Sequence, residues 1–213
     1  MTEQQEQELR WYSNCIGEVK EILDGVGVEF WLDYGTALAA YRNKAPMFHD
    51  IQDIDVSVRI EDVDEKKLLE IEKWFAIKQW SYPNDGIYKD TRYLFQHCFK
   101  KGSLHCDIWY FDKVKDYRWR TWARQDGLYI WLVCPAKYYE NLKTKVMYCG
   151  KEFLIPNDIE NYLVLTYGLD WKVPMSTNYG DVFTMRTRVQ YERFVDWING
   201  RYNERKYLTE GYK

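Results

Sequence analysis

The spacing of hydrophobic and polar positions divides the chain into stretches of helical and of strand character. Apolar side chains that recur every three or four residues, together with strong helix formers, predict helices at residues 3–24, 36–42, 62–75, 135–142, 157–167 and 185–198. Short apolar or alternating stretches predict strands at residues 28–33 and 53–58 and a turn at 83–86. They also predict three hairpins: one of strands 93–100 and 104–111 joined through residues 101–103, one at 117–133 and one at 146–156. In the charged helix at residues 62–75 we expect Leu68, Ile71, Trp74 and Phe75 to face the core.

The alternation of helices with strands favours an α/β (α+β) fold, in which helices flank a mixed sheet and further helices and hairpins follow on the C-terminal side. We predict a single domain over residues 1–213, which is long enough for one sizeable core. It divides into an N-terminal helix at residues 1–25, a core at about 28–112 and a C-terminal lobe at about 113–213.

Asp53 and Asp55 form the first candidate site. They lie at the start of an apolar alternating stretch, and residues two apart in a strand point to the same face. Two carboxylates held this close repel each other unless water or a cation lies between them, and Mg²⁺ commonly binds a few carboxylates together with substrate phosphates. Taken alone, an Asp-x-Asp pattern is more often a solvated turn than a metal site.

Gly35 and Thr36 precede this pair, at a predicted passage from strand to helix. Glycine permits close backbone approach, and unpaired N–H groups at a helix start favour an anion. Both residues are therefore candidates for phosphate contact, although a helix start of this kind without a ligand is commoner. The order of strand, Gly-Thr helix start, loop and Asp-x-Asp strand places a phosphate end and a metal end in one unit, and this combination is more specific than either part.

Asp107 lies in an otherwise apolar predicted strand. A buried acid is costly unless it is paired, hydrogen-bonded or bound to a metal. We predict that Asp107 is the third ligand of a cation at Asp53 and Asp55, and the alternative is an edge strand on which it faces water. His105, on the same face, is either a neighbour of the site or a surface residue.

The composition limits the possible partners. The formal net charge of −3 and the pI of about 5.7 do not favour polyanions, so nucleic acid is not expected as a partner. The aromatic content of 18% is explained either by a bulky core or by surfaces on which sugars stack.

Five cysteines without a Cys-x-x-Cys spacing favour free thiols in a reducing compartment. The polar N-terminus and the lack of a long apolar stretch predict a cytoplasmic protein with no integral membrane segment.

Several blocks of the sequence resemble the LicD family, which includes the fukutin-related proteins. The blocks follow the family's order between about residues 30 and 174, and an ordered series is more specific than one motif. They are Tyr34-Gly35-Thr36-Ala37-Leu38-Ala39-Ala40-Tyr41-Arg42, Pro46, Asp53-Ile54-Asp55-Val56, Asp107-Ile108, Gly150-Lys151-Glu152-Phe153-Leu154-Ile155-Pro156, Tyr162-Leu163, and Tyr167-Gly168 with Trp171 and Pro174.

The resemblance implies a nucleotidyltransferase-like core and a divalent metal. It also implies transfer of a phospho-alcohol unit, such as phosphocholine or ribitol phosphate, from a CDP-linked donor to a glycan hydroxyl. By position it implies two sets of residues: Asp53, Asp55 and Asp107 for Mg²⁺ or Mn²⁺, and Gly35, Thr36 and Arg42 for the donor phosphates.

The sequence departs from the family pattern at two points. Relatives carry Pro-Trp-Asp-Asp-Asp-Ile-Asp where this chain has His49-Asp50-Ile51-Gln52-Asp53-Ile54-Asp55, so that Ile51 replaces an acid, and Ala39 replaces a glycine. We predict a transferase in which Asp107 or Asp50 accepts the proton of the acceptor hydroxyl. Two alternatives stay open: a nucleotidyltransferase that uses a nucleoside triphosphate on a small molecule or protein, and a nucleotide- or glycan-binding protein with weak or no turnover.

Overall fold

The structure is a computed structural model that describes residues 2–47, 52–81, 96–123 and 129–174 of the chain. Within these ranges, side chains are described except at residues 114, 121–123 and 129–133. The predicted turn at 83–86, residues 93–95 of the first hairpin, the predicted helix at 185–198 and Asp50 lie outside the described residues.

Among the described residues, six strands form one mixed sheet. They are β1 (Phe30–Leu32), β2 (Asp53–Arg59), β3 (Gln96–Lys101), β4 (Leu104–Val114), β5 (Tyr117–Ala123) and β6 (Tyr129–Pro135). The order is β1-β2-β4-β5-β6, and β3 pairs with β4 beside this path. β2 and β4 run parallel, whereas the other named pairs are antiparallel. The α/β fold class is thereby confirmed, and so are the hairpins predicted around residue 102 and within residues 117–133.

The parallel pair of β2 and β4 lies at the centre of the fold and positions the candidate acids. Its register sets Asp55 opposite Asp107 and Val56 opposite Ile108. Val56 and Ile108 are fully buried, as expected for a parallel pair that is covered on both sides. Because side chains alternate along a strand, the acids share one face and these two apolar residues share the other.

In the part of the chain that the structure describes, four helices accompany the sheet: α1 (Glu3–Val26), α2 (Tyr34–Leu38), α3 (Glu65–Ile77) and α4 (Ile159–Tyr167). A capping box between Thr2 and Gln5 begins α1, and Gly27 ends it with a φ of 72°. The buried stripe of α1, which includes Ile16 and Leu23, packs into the core, and α1 also contacts α3.

The inward position predicted for Trp74 is wrong. On α3, Ile71 and Phe75 are fully buried, but the side chain of Trp74 is 44% exposed. Adjacent residues of an α-helix lie about 100° apart around its axis. Trp74 therefore falls at the edge of the stripe that Ile71 and Phe75 define, while Leu68 is partly buried against the core.

Two of the predicted helices differ from expectation. The first begins before Gly35 as α2 and continues as a π-helical turn, Ala39–Asn43, which Lys44 ends at a φ of 56°. The helix predicted at residues 135–142 is only a 3₁₀ turn, Ala136–Tyr138, and Asn141 at a φ of 47° prevents its continuation.

The predicted hairpin at residues 146–156 is present as β7 (Lys145–Tyr148) and β8 (Lys151–Leu154). Its two-residue turn places Cys149 at a φ of 50° and Gly150 at 75°, which is the backbone of a type I′ turn. All five cysteines are free thiols. Within the described residues, no helix is long and apolar enough to cross a bilayer.

Candidate active site

β2 and β4 bring together the three carboxylates predicted as metal ligands. One oxygen each of Asp53, Asp55 and Asp107 lies within 4.8 Å of the corresponding oxygens of the other two. Asp55 is buried and its two neighbours are half-buried. These three residues, named here the carboxylate site, lie where β2 begins and beside the matching part of β4.

The acids of the carboxylate site disfavour one another's charge. Burial, and then the negative charge of Asp53, raise the pKa of Asp55 well above its ordinary value. Burial and the charge of Asp55 raise the pKa of Asp107 to about 6. A cation between the oxygens would remove both effects, because it replaces the lost water and opposes the repulsion.

Two side chains hold Asp55 in place. The indole Nε1 of Trp109 donates a hydrogen bond of 3.0 Å to Asp55 Oδ1. The backbone N–H of Asp55 donates a hydrogen bond of 2.8 Å to the hydroxyl of Thr36. Ordered partners of this kind fix the direction of a metal ligand and so favour binding. This hydrogen bond joins α2 to β2. It is a structural contact of Thr36, separate from the contact with a donor phosphate that the sequence predicts.

Asp107 is the acid whose surroundings best suit metal ligation. Its Oδ1 is buried and has no hydrogen-bond partner in the described part of the chain. Hydrogen bonds from Cys98 and Gln96 lower its pKa but do not offset burial. A buried carboxylate oxygen without a partner is costly. A set of three carboxylates suits hard divalent cations that prefer oxygen, so the residues fit Mg²⁺ or Mn²⁺.

His105 neighbours the carboxylate site through Cys98. Its Nδ1 lies 3.7 Å from the Cys98 sulfur, and Cys98 in turn hydrogen-bonds Asp107. His105 is half-buried. Of the two positions predicted for it, the one beside the site is the one observed.

The other predicted site residues lie in different settings. Gly35 is half-buried in the first turn of α2. Arg42, in the π-helical turn, donates hydrogen bonds to the Trp171 carbonyl at 2.9 Å and to Asn43 Oδ1 at 2.8 Å. The contact with Trp171 anchors Arg42 to the segment after α4. Asp50 lies outside the described residues.

Sequence reasoning missed Asp33, which is fully buried beneath the carboxylate site. Its carboxylate accepts hydrogen bonds from Ser57 Oγ at 2.6 Å, the Tyr34 N–H at 2.9 Å and the Tyr162 hydroxyl. Burial raises the pKa of Asp33 although these donors lower it, and its charge adds to the cost of ionising Asp55. The rule that identified Asp107, an acid in an apolar strand, applies equally to the end of β1 and could have found it.

Sequence reasoning also missed Arg120, a buried cation on β5 beside the carboxylate site. Its Nε donates a 2.8 Å hydrogen bond to the Tyr34 hydroxyl, and its guanidinium carbon lies 3.3 Å from the centre of the Trp109 ring. Its positive charge lowers the pKa values of Asp55 and Asp107. The register of residues 117–133 cannot be fixed from the pattern, so no sequence signal indicated that Arg120 faces inward.

Comparison with known proteins gives distant relatives. The chain is 26% identical over 163 residues to "Ribitol-5-phosphate transferase FKTN" of Mus musculus, a match that covers 73% of this chain and 32% of the relative. The Homo sapiens protein of the same name is 24% identical over 161 residues, with the same coverage. The chain thus spans about a third of the length of these relatives.

Among solved structures, the chain is similar to ANT(2″)-Ia in complex with adenylyl-2″-tobramycin. That similarity has a TM-score of 0.46 at 13% identity, over 91% of this chain and 98% of the other. The family model described as "LicD/FKTN/FKRP, nucleotidyltransferase domain" matches residues 27–158. This range is more than half of the chain, and it includes Asp53, Asp55 and Asp107. The chain therefore belongs to the LicD/FKTN/FKRP family.

Proposed function

We propose that this protein is a metal-dependent transferase. In this proposal it moves a phospho-alcohol unit, such as ribitol phosphate or phosphocholine, from a CDP-linked donor to a hydroxyl of a glycan or another acceptor, and it releases CMP. The observation that supports it is the convergence of Asp53, Asp55 and Asp107 from two parallel strands. The name of the FKTN relatives supports the type of group transferred.

Each residue of the carboxylate site has a defined task in the proposed reaction. Asp53, Asp55 and Asp107 would hold Mg²⁺ or Mn²⁺, which supplies positive charge for the donor diphosphate. The acceptor oxygen forms a bond to the phosphorus that carries the alcohol, and the bond from that phosphorus to CMP breaks. The hydroxyl proton passes to Asp107 or Asp50.

The direct test is CMP release from CDP-ribitol, CDP-choline and CDP-glycerol with Mg²⁺ or Mn²⁺ and a panel of glycan acceptors. Asp53→Asn should reduce turnover at least about 100-fold, since it removes a charged metal ligand without changing the size of the side chain. Asp24→Asn is the matched control, because that acid lies on the exposed side of α1 and should leave turnover unchanged. Near-normal turnover of Asp53→Asn would refute the assignment.

A second candidate function is nucleotidyl transfer from a nucleoside triphosphate to a small molecule or protein. The description of the matching family model, a nucleotidyltransferase domain, favours it. The product separates the two reactions, because nucleotidyl transfer releases pyrophosphate whereas phospho-alcohol transfer releases CMP. Tight nucleotide binding without either product would instead indicate a binding protein.

A further inference from the structure

Two arginines lie two residues apart on one face of β5, and both are buried. Arg118 has acceptors for all of its nitrogens: it bonds both oxygens of Glu61, one oxygen of Glu140 and the Phe111 carbonyl. Arg120 differs. It is 4% exposed, and its Nη1 has no hydrogen-bond partner among the described residues.

Two aromatic rings and one hydroxyl acceptor hold the guanidinium of Arg120. Its carbon lies 3.3 Å from the centre of the Trp109 ring and 4.7 Å from that of Tyr34, and the Tyr34 hydroxyl accepts from Nε. Stacking on rings fixes the plane of a guanidinium and leaves its outer N–H groups available. Arg120 is therefore a preoriented cation with an unused donor.

The position of this donor relates it to the carboxylate site. Trp109 contacts Arg120 with its ring face and Asp55 with its Nε1. The charge of Arg120 also acts on Asp33, Asp55 and Asp107. A fixed positive group beside a metal position is the arrangement that stabilises a phosphate in transfer reactions, and arginine is well suited to phosphate oxygens.

We propose that Arg120 binds a phosphate oxygen of the donor through Nη1, beside the metal held by the carboxylate site. The proposal rests on the proposed function in taking the donor to be a nucleoside diphosphate derivative. Nη1 is as shielded from solvent as Asp53 Oδ1 and Asp107 Oδ1.

A purely internal role for Arg120, as counter-charge to the acids, predicts a different pattern. If Arg120 only balanced the charge of Asp55 and Asp107, its loss would raise the affinity for metal and leave the affinity for CDP in saturating Mn²⁺ unchanged. If it only ordered these acids through Trp109, its loss would weaken metal binding. If it binds phosphate, its loss removes a cation that repels the metal, so the affinity for metal alone should stay equal or rise while nucleotide affinity falls. The two measurements then change in opposite directions, which unfolding cannot produce.

The experiment compares wild type with Arg120→Gln and Arg120→Lys, and with Arg59→Gln as a matched control at the other end of β2. Binding of Mn²⁺ alone is measured by electron paramagnetic resonance, and binding of CDP and of cytidine in saturating Mn²⁺ by calorimetry.

For Arg120→Gln we expect CDP to bind about 10- to 100-fold more weakly, as for the loss of a hydrogen bond to a charged group. Cytidine affinity should be unchanged and Mn²⁺ affinity equal or higher. Arg120→Lys keeps the positive charge but lacks the planar guanidinium, so its CDP affinity should be intermediate. Arg59→Gln should bind CDP as wild type does.

Tyr34→Phe tests the proposal if Arg120→Gln does not fold. It keeps the ring and removes the hydroxyl that orients Nε, so CDP should bind several-fold more weakly and cytidine as before.

The proposal is overturned if folded variants bind CDP within twofold of wild type, if Mn²⁺ affinity falls together with CDP affinity, or if wild type binds neither CDP nor pyrophosphate. Loss of CDP binding in Arg120→Gln, with no transfer by wild type from any CDP-alcohol, would support this proposal and refute the proposed function. Transfer by wild type, together with unchanged CDP binding in Arg120→Gln, would support the proposed function and refute the phosphate-binding role of Arg120.

Discussion

Two groups of charged side chains lie at opposite ends of β2. They differ in whether nearby charges of opposite sign compensate the acids. The carboxylate site lies where β2 begins, and the Arg118 cluster, formed by Arg118, Glu61 and Glu140, lies beyond its end. In the cluster, burial alone would raise the pKa of Glu61, but the hydrogen bonds and charge of Arg118 lower it below its ordinary value. At the carboxylate site, burial and neighbouring acids raise the pKa values of Asp55 and Asp107.

The difference separates charge that stabilises the fold from charge that requires a ligand. Arg118 joins β5 to the turn after β2 and to the segment after the 3₁₀ turn, and each of its nitrogens has an oxygen within hydrogen-bond distance. For Asp55 and Asp107, the positive charge of Arg120 lowers the pKa, but it does not offset burial and the neighbouring acids. Uncompensated charge of this kind lowers stability, and it is retained where function requires it.

The largest expected effect on stability is that of Arg118→Gln. Removing the cation leaves Glu61 and Glu140 without their shared partner, and we expect a loss of about 3 kcal/mol in the free energy of unfolding. This value is at the lower end for a buried pair because both glutamates reach solvent. Urea denaturation measures it, and Mn²⁺ binding to the folded variant should be unchanged. A loss below about 0.5 kcal/mol would remove the contrast between the two groups of charge.

Metal addition should have the next largest effect, and only through the carboxylate site. At a concentration one hundred times Kd, Mn²⁺ should stabilise the wild type by about 2.7 kcal/mol. Asp55→Asn should abolish this gain, while Arg118→Gln should retain it in full. Thermal denaturation with and without Mn²⁺ provides the comparison. Equal stabilisation of Asp55→Asn and wild type would place the metal elsewhere.

Asp107→Asn should stabilise the metal-free protein by about 1 kcal/mol near neutral pH, because it removes a buried charge that burial and Asp55 disfavour. Urea denaturation in the presence of a chelator measures this gain. Glu140→Gln is the matched control, since the same change in the Arg118 cluster removes a favourable charge and should destabilise. If both substitutions change stability in the same direction, the two groups do not differ as described.

The sequence pattern predicted the sheet and the carboxylate site because both depend on local rules. Alternation in the two strands fixes which side chains share a face, and Asp107 conflicts with its apolar surroundings strongly enough to be noticed. The parallel pairing then brings it opposite Asp55. Asp33 escaped notice because it stands next to a turn, where an acid is ordinary.

The basic residues could not be placed in the same way, because their role depends on contacts between distant parts of the chain. Arg120 meets Tyr34 across 86 positions, and Arg118 meets Glu61 across 57. In sequence, Arg-Trp-Arg in an aromatic strand is equally consistent with arginines on the solvent side. Which face of β5 is covered follows from its pairing with β4 at residues 112–114, and local spacing contains no information on that pairing.

The smallest expected effect is that of Arg59→Gln, and it tests whether burial or the number of partners sets the strength of an ionic group. Arg59 bonds Glu29 at 2.5 Å and Asp62 at 2.7 Å, so it has two carboxylate partners, as Arg118 has. Its side chain is 16% exposed, however, against 1% for Arg118. Solvent access weakens the attraction and lowers the cost of separating the charges. Urea denaturation should therefore show a loss of at most about 1 kcal/mol for Arg59→Gln, which shrinks further in 1 M KCl, whereas the loss for Arg118→Gln should change little with salt. Losses of equal size and equal salt dependence would mean that the two partners, and not burial, determine the stability that each arginine contributes.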